Sequence, residues 1–131
     1  PGATTQTIVC KLGLDKKMLG VGLLQSGKLL LADAMEKEII EAINGREARI
    51  LVTPIGGQGH IFGRGNQQIS PLVIRMAGRE NIIVVASPMK LMSLAGAPLL
   101  VDTGDLELDE NLRGYLNVRT GYRKQAVYRV S

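Results

Sequence analysis

The sequence predicts an α+β fold, and three observations carry that prediction. Two apolar, β-branched segments at residues 48–52 and 81–86 bracket a short stretch with helix-start and helix-stop chemistry at its ends. Two other regions carry strand-forming residues on either side of a glycine-containing turn, at Gln25-Ser26-Gly27 and Thr120-Gly121, as hairpins do. Between them, residues 34–43 place Met35, Ile39, Ile40 and Ile43 on one face and Glu36, Lys37, Glu38 and Glu41 on the other, an amphipathic helix. At 131 residues the chain suffices for one domain with a single core.

Each element follows in order. Residues 4–12 read as a short helix ended by Gly13. Residues 18–24 and 28–32 form the first hairpin. The helix over 34–43 takes Asp33 as N-cap and stops near Gly45. Residues 48–52 are a buried strand. Ser70 as N-cap and Pro71 at the first helical position start a helix that runs to Ala77 and ends at Gly78. With the strand at 81–86 this gives strand–helix–strand order, which favours a parallel, right-handed crossover. Residues 90–94 read as a short helix and 98–101 as a strand. Residues 105–112 form an acidic helix or loop. The terminal hairpin spans 114–119 and 122–130, with Tyr115, Tyr122 and Tyr128 packed on its half-buried face. Met89 and Met92 read as core filler.

Composition excludes several classes. The net charge of +4 is spread along the chain, with adjacent cations only at Lys16-Lys17 and Arg123-Lys124, and few aromatics exist for base stacking. Nucleic acid is therefore not the expected partner. No apolar run reaches the length of a membrane span, and no signal-peptide pattern opens the chain. Cys10 stands alone, so no intrachain disulfide forms, which suits a reducing cytoplasm. One His and one Cys far apart make no metal-ligand set. The start at Pro1-Gly2 suggests a piece excised from a longer polypeptide.

The polar stretch from Thr53 to Pro71, Thr-Pro-Ile-Gly-Gly-Gln-Gly-His-Ile-Phe-Gly-Arg-Gly-Asn-Gln-Gln-Ile-Ser-Pro, is the strongest functional signal. Glycines at 56, 57, 59, 63 and 65 let a backbone approach a ligand, and a capped helix follows, an arrangement suited to nucleotides and phosphates. His60 can stack on a ring or bond a ribose, and Arg64 can hold a phosphate. Asn66, Gln67 and Gln68 both donate and accept, as sugar hydroxyls and base edges require. The spacing Gly57-x-Gly59-x-x-x-Gly63 is one residue too long for the dinucleotide fingerprint. The plainer reading is a tight connection whose amides satisfy one another. Asp102-Thr103-Gly104-Asp105 is the second constellation. It has the Asp-Thr-Gly of aspartic proteases, but too little chain follows for the rest of such a fold. It remains either a turn capped by Asp102 or Asp105 or a polar wall of the ligand site. The expected substrate-binding set is Gly56, Gly57, Gln58, Gly59, His60, Phe62, Gly63, Arg64, Gly65, Asn66, Gln67, Asp102 and Asp105.

The same stretch resembles the signature of the ATP- or polyphosphate-dependent NAD kinases of bacteria and archaea, the group similar to the acetoin-catabolism protein X. Pro1-Gly-Ala-Thr-Thr5, Leu19-Gly-Val21, the 81–86 strand with Lys90-Leu91, residues 99–105, and Thr120-Gly-Tyr122 before residues 127–130 resemble that family's C-terminal half. The resemblance covers essentially the whole chain. Thr53, Pro54 and Gly56 also align with the Thr-Pro-x-Gly loop of classical NAD kinases, which would set His60 at that family's tyrosine. The resemblance implies a β-rich C-terminal lobe of an NAD kinase-like fold, with mixed sheets, short helices and a C-terminal hairpin. It implies NAD as substrate, ATP or polyphosphate with Mg²⁺ as donor, an N-terminal lobe as partner and a homo-oligomer. Two departures stand out. Met35 replaces the asparagine of the family's Asp-Val-Asn-Glu, and the Gly-Gly-Asp-Gly-Thr motif with its catalytic aspartate is absent. No catalytic residue is therefore expected here, and the chain alone is expected to be inactive. The alternatives are a lobe of a kinase for a lipid or small hydroxylated metabolite, and a non-catalytic binding or assembly module.

Overall fold

Strand alternation in this chain turns apolar side chains to one side, and seven strands share that buried face. The computed structural model describes residues 7–13, 20–26, 28–54, 58–63, 66–121 and 123–131. In chain order, β1 (Ile8–Gly13), β2 (Gly20–Gln25) and β3 (Lys28–Leu31) form an antiparallel meander. α1 (Glu36–Ile43) leads to β4 (Ala48–Val52), and β5 (His60–Phe62) and α2 (Pro71–Ala77) precede β6 (Ile82–Val85). Then come α3 (Pro88–Ser93), β7 (Leu100–Val101), α4 (Leu106–Leu112), and the hairpin of β8 (Gly114–Gly121) and β9 (Lys124–Val130). The sheet order is β3-β2-β1-β4-β6-β8-β9, with β1, β4, β6 and β8 mutually parallel. This mixed sheet with short helices and a C-terminal hairpin is the α+β, β-rich architecture expected.

The parallel strands are joined through helices because each link needs a chain segment long enough to return across the sheet. Ile39 and Ile43 of α1 and Val73, Ile74 and Ala77 of α2 enter one core with Ile8, Cys10, Ile50, Val84 and Val118 of the sheet. The helices therefore cover the buried face. The start of α2 is set locally. Ser70 Oγ accepts from the Val73 N–H at 3.4 Å, Pro71 needs no donor partner there, and Gly78 ends the helix.

Four expectations are corrected. Residues 8–13 are a strand, not a helix: Ile8 and Cys10 face the core, Lys11 faces out, and both β2 and β4 pair with them. The first residues of the expected helix, 1–6, lie outside the described set. α1 begins after Met35 rather than Asp33. The Met35 N–H donates to the Glu38 carboxylate at 3.0 Å, while Asp33 sits at φ 52 with its carboxylate over Gly20. Met35 itself is 58% exposed, and Met89 and Met92 are 79% exposed, so none of the three fills the core. Tyr115 is exposed rather than packed, whereas Tyr128 is half-buried against the core as expected, and Tyr122 lies outside the described residues.

Candidate functional site

The polar stretch leaves the carboxyl end of β4, the end at which open sheets with parallel strands present ligand sites. Pro54 is buried, and the chain is next described at Gln58, which is exposed. Gly56, Gly57, Arg64 and Gly65 of the expected set lie outside the described residues. Gly59 then enters β5, which pairs in parallel with β7: His60 stands opposite Leu100 and Phe62 opposite Val101. The Leu100 N–H donates to the Gly59 carbonyl and the Asp102 N–H to the Phe62 carbonyl, each at 3.1 Å. Five strand residues thus lock the glycine-rich stretch beside Asp102-Thr103-Gly104-Asp105. The two constellations, some forty residues apart in sequence, form one place.

Gly63 shows how tight the joint is. Its φ is 92°, and a Cβ there would overlap the Asp102 carbonyl oxygen. Only glycine lets β5 end against the turn after β7. At Gly59 the φ is 76°, but a Cβ would meet the Leu94 side chain at 3.0 Å, a neighbour able to shift.

The remaining residues divide in two. Gln58 and Gln67 are exposed and His60 is half-buried, so these can face a ligand. Asn66 is fully buried: its Nδ2 donates to the Ile61 carbonyl at 2.9 Å, and its Oδ1 has no hydrogen-bond partner among the described residues. The bond to Ile61 fixes the amide, so Oδ1 is a positioned, unused acceptor. Two members of the expected set do other work. Phe62 is 0% exposed and fills the core from β5, so its ring is structural. Asp105 is the N-cap of α4, accepting from the Leu108 N–H at 3.1 Å, and its other oxygen pairs with Arg75 of α2 at 3.1 Å. Asp102 is exposed, with its backbone held by the ladder.

Sequence reasoning missed Asp109. It is 6% exposed and accepts from the Thr103 hydroxyl at 2.6 Å and the Thr103 N–H at 3.1 Å. The signal was its place between Leu108 and Leu112, whose buried stripe draws in the neighbouring carboxylate. Leu94, under Gly59, was also missed as a site support. Among the described residues no three of His, Cys, Asp and Glu gather to hold a metal ion. Burial pushes the Cys10 thiol up to about 12, so it offers no thiolate near neutral pH.

With this geometry in place, comparison with protein families decides the assignment: the model of the ATP-NAD kinase C-terminal domain matches residues 1–130. The chain belongs to this family. Its function is of the NAD kinase type, a phosphotransferase activity with NAD and ATP as the family's general substrates. As a C-terminal domain of that family it implies an N-terminal lobe as partner. No curated protein and no solved structure matches the chain. No helix among the described residues is long and apolar enough to cross a membrane.

Proposed function

We propose that the full-length protein transfers a terminal phosphate from ATP or polyphosphate to the 2′-hydroxyl of the adenosine ribose of NAD, giving NADP in the cytoplasm. This lobe supplies the wall that faces NAD. The observation that carries the reading is Asn66: a buried amide oxygen, oriented by its own Nδ2 bond and otherwise unmet, within the stretch on which the family resemblance rests. An unmet buried acceptor costs about 1–3 kcal/mol, and a ribose hydroxyl or an adenine amine is a donor that removes the cost once the chain that covers Asn66, 0% exposed here, parts to admit it. Gln58, His60 and Gln67 of the same stretch add adaptable donors and acceptors, and Arg64, between two glycines in sequence, is the stretch's one guanidinium for a phosphate.

Phosphoryl transfer is chiefly positioning and charge stabilisation. Residues of this lobe bind and orient the acceptor nucleotide and exclude water from it. The base that accepts the hydroxyl proton, and the groups that hold Mg²⁺ and the donor phosphates, belong to the N-terminal lobe. These 131 residues alone therefore form no NADP. The test is a product assay on the full-length protein with NAD, diacylglycerol and small diols as acceptors and ATP or polyphosphate as donor. The reading expects NADP with the phosphate on the ribose 2′ position. Phosphorylation of the lipid or diol with NAD untouched would contradict it.

A further inference from the structure

We propose that the carboxylate of Asp102 reads the ribose of the acceptor nucleotide, accepting from its vicinal hydroxyls and disfavouring the same ribose once it carries a phosphate. The inference rests on the proposed reaction and adds to it a residue that separates substrate from product. The small second sheet sets its position. β5 and β7 run parallel, and ligands collect outside the carboxyl ends of parallel strands. Gly63 and Asp102 stand at the carboxyl end of this pair. The Asp102 N–H donates to the Phe62 carbonyl at 3.1 Å, and the Asp102 carbonyl oxygen fills the space that a Cβ on Gly63 would take. Both backbone groups of Asp102 are thereby fixed beside the glycine-rich stretch, and its side chain is exposed at that edge.

The neighbouring aspartates serve the fold instead. Asp109 is buried on Thr103, and Asp105 caps α4 and meets Arg75. Charge then selects the part of the nucleotide that Asp102 meets. A carboxylate only accepts, so it pairs with donors and repels phosphates. The donors of a dinucleotide are its ribose hydroxyls and its amino groups. Two vicinal hydroxyls suit the two oxygens of one carboxylate, and dinucleotide-binding folds set an acidic residue on a ribose hydroxyl for this reason. Once the 2′-hydroxyl is a phosphate ester, that donor is gone and negative charge faces negative charge. A contact favourable to NAD is then adverse to NADP, which is discrimination by a repulsive element. Release of product limits turnover in many enzymes, and this contact speeds it.

Calorimetric titration of NAD and of NADP into the full-length protein and its Asp102→Asn variant tests this. Asparagine keeps the shape and an acceptor oxygen but removes the charge, and the ladder bond uses only the backbone. NADP affinity should rise about tenfold and NAD affinity fall about threefold, so the preference for NAD over NADP drops by about thirtyfold. NADP should become a correspondingly stronger product inhibitor. Asp102→Glu, which restores the charge, should keep the parent's order of preference. Equal losses for the two dinucleotides would place the carboxylate on an amino group, and unchanged affinities would leave it a solvated surface group; either result overturns the proposal. NADP formation, measured on the same samples, separates it from the reaction. A parent that phosphorylates NAD, with a variant that keeps the parent's ratio of affinities, contradicts this inference alone, whereas a parent that binds neither dinucleotide contradicts both.

Discussion

On the β7 side of the joint, polar groups are consumed by the fold. Asp109 takes both the hydroxyl and the N–H of Thr103, and Asp105 caps α4 with one oxygen and meets Arg75 with the other. On the β5 side, Asn66 spends its amide nitrogen on Ile61 and leaves its oxygen buried and unmet. Both segments are polar and glycine-containing, and the same short ladder holds them. The difference teaches which of them is scaffold. Asp105 and Asp109 of the one segment are engaged within the fold, Asp102 at its edge staying exposed, whereas the other keeps a positioned acceptor left over.

The comparison can be broken at its hinge. Gly63→Ala should give the largest effect, since a left-handed φ and overlap with backbone combine: about 2–4 kcal/mol in chemical denaturation. Gly59→Ala faces only the movable Leu94 side chain and should lose about 1 kcal/mol. Equal losses at the two sites would mean that the Asp102 contact is not the tight point of the joint.

On the scaffold side, Asp109→Ala removes a buried acceptor from two Thr103 donors and should lower stability by about 2–3 kcal/mol. A loss confined to NAD binding, with the denaturation midpoint unchanged, would make Asp109 a ligand residue instead. Arg75→Gln should shift stability by no more than about 0.5 kcal/mol, because the pair with Asp105 is over a third exposed on both sides.

Cys10 sharpens the contrast between core and surface. Its thiol is pushed up to about 12 from 9.0, so the folded state favours the protonated form. That contribution to stability is fully present below pH 9 and declines as the pH rises towards 12, because the unfolded chain ionises first. Denaturation of the parent and of Cys10→Ala across that window should show the steeper fall in the parent. Parallel slopes would contradict the burial of the thiol.

Much of this was legible in the sequence wherever the decisive chemistry is local. Ser70, Pro71 and Gly78 announce α2 because caps are made by neighbours, and the two hairpins announce themselves by their turns. β1 was not legible. Its residues become a strand through pairing with β2 on one side and β4 on the other, and nothing within residues 4–12 states that they have such partners. The β5–β7 ladder was hidden for the same reason, being three residues against two at long separation. Of the candidate site, the stretch around His60 and Asn66 was visible as polarity. The capping role of Asp105 was one of the two readings its turn allowed, because a cap is local chemistry, whereas that Phe62 is core depends on what folds against it, which residue type alone does not reveal.

The central claim is that the unmet oxygen of Asn66 belongs to the nucleotide site, and calorimetric titration of NAD into the full-length protein and its Asn66→Leu variant tests it most directly. Leucine removes a bond worth about 1 kcal/mol together with an unmet acceptor costing about 1–3 kcal/mol, so folding should change little. NAD affinity should fall by roughly tenfold or more, the effect of losing one well-placed hydrogen bond. Unchanged affinity in a variant of unchanged stability would contradict the account and leave Asn66 as a structural clip on Ile61.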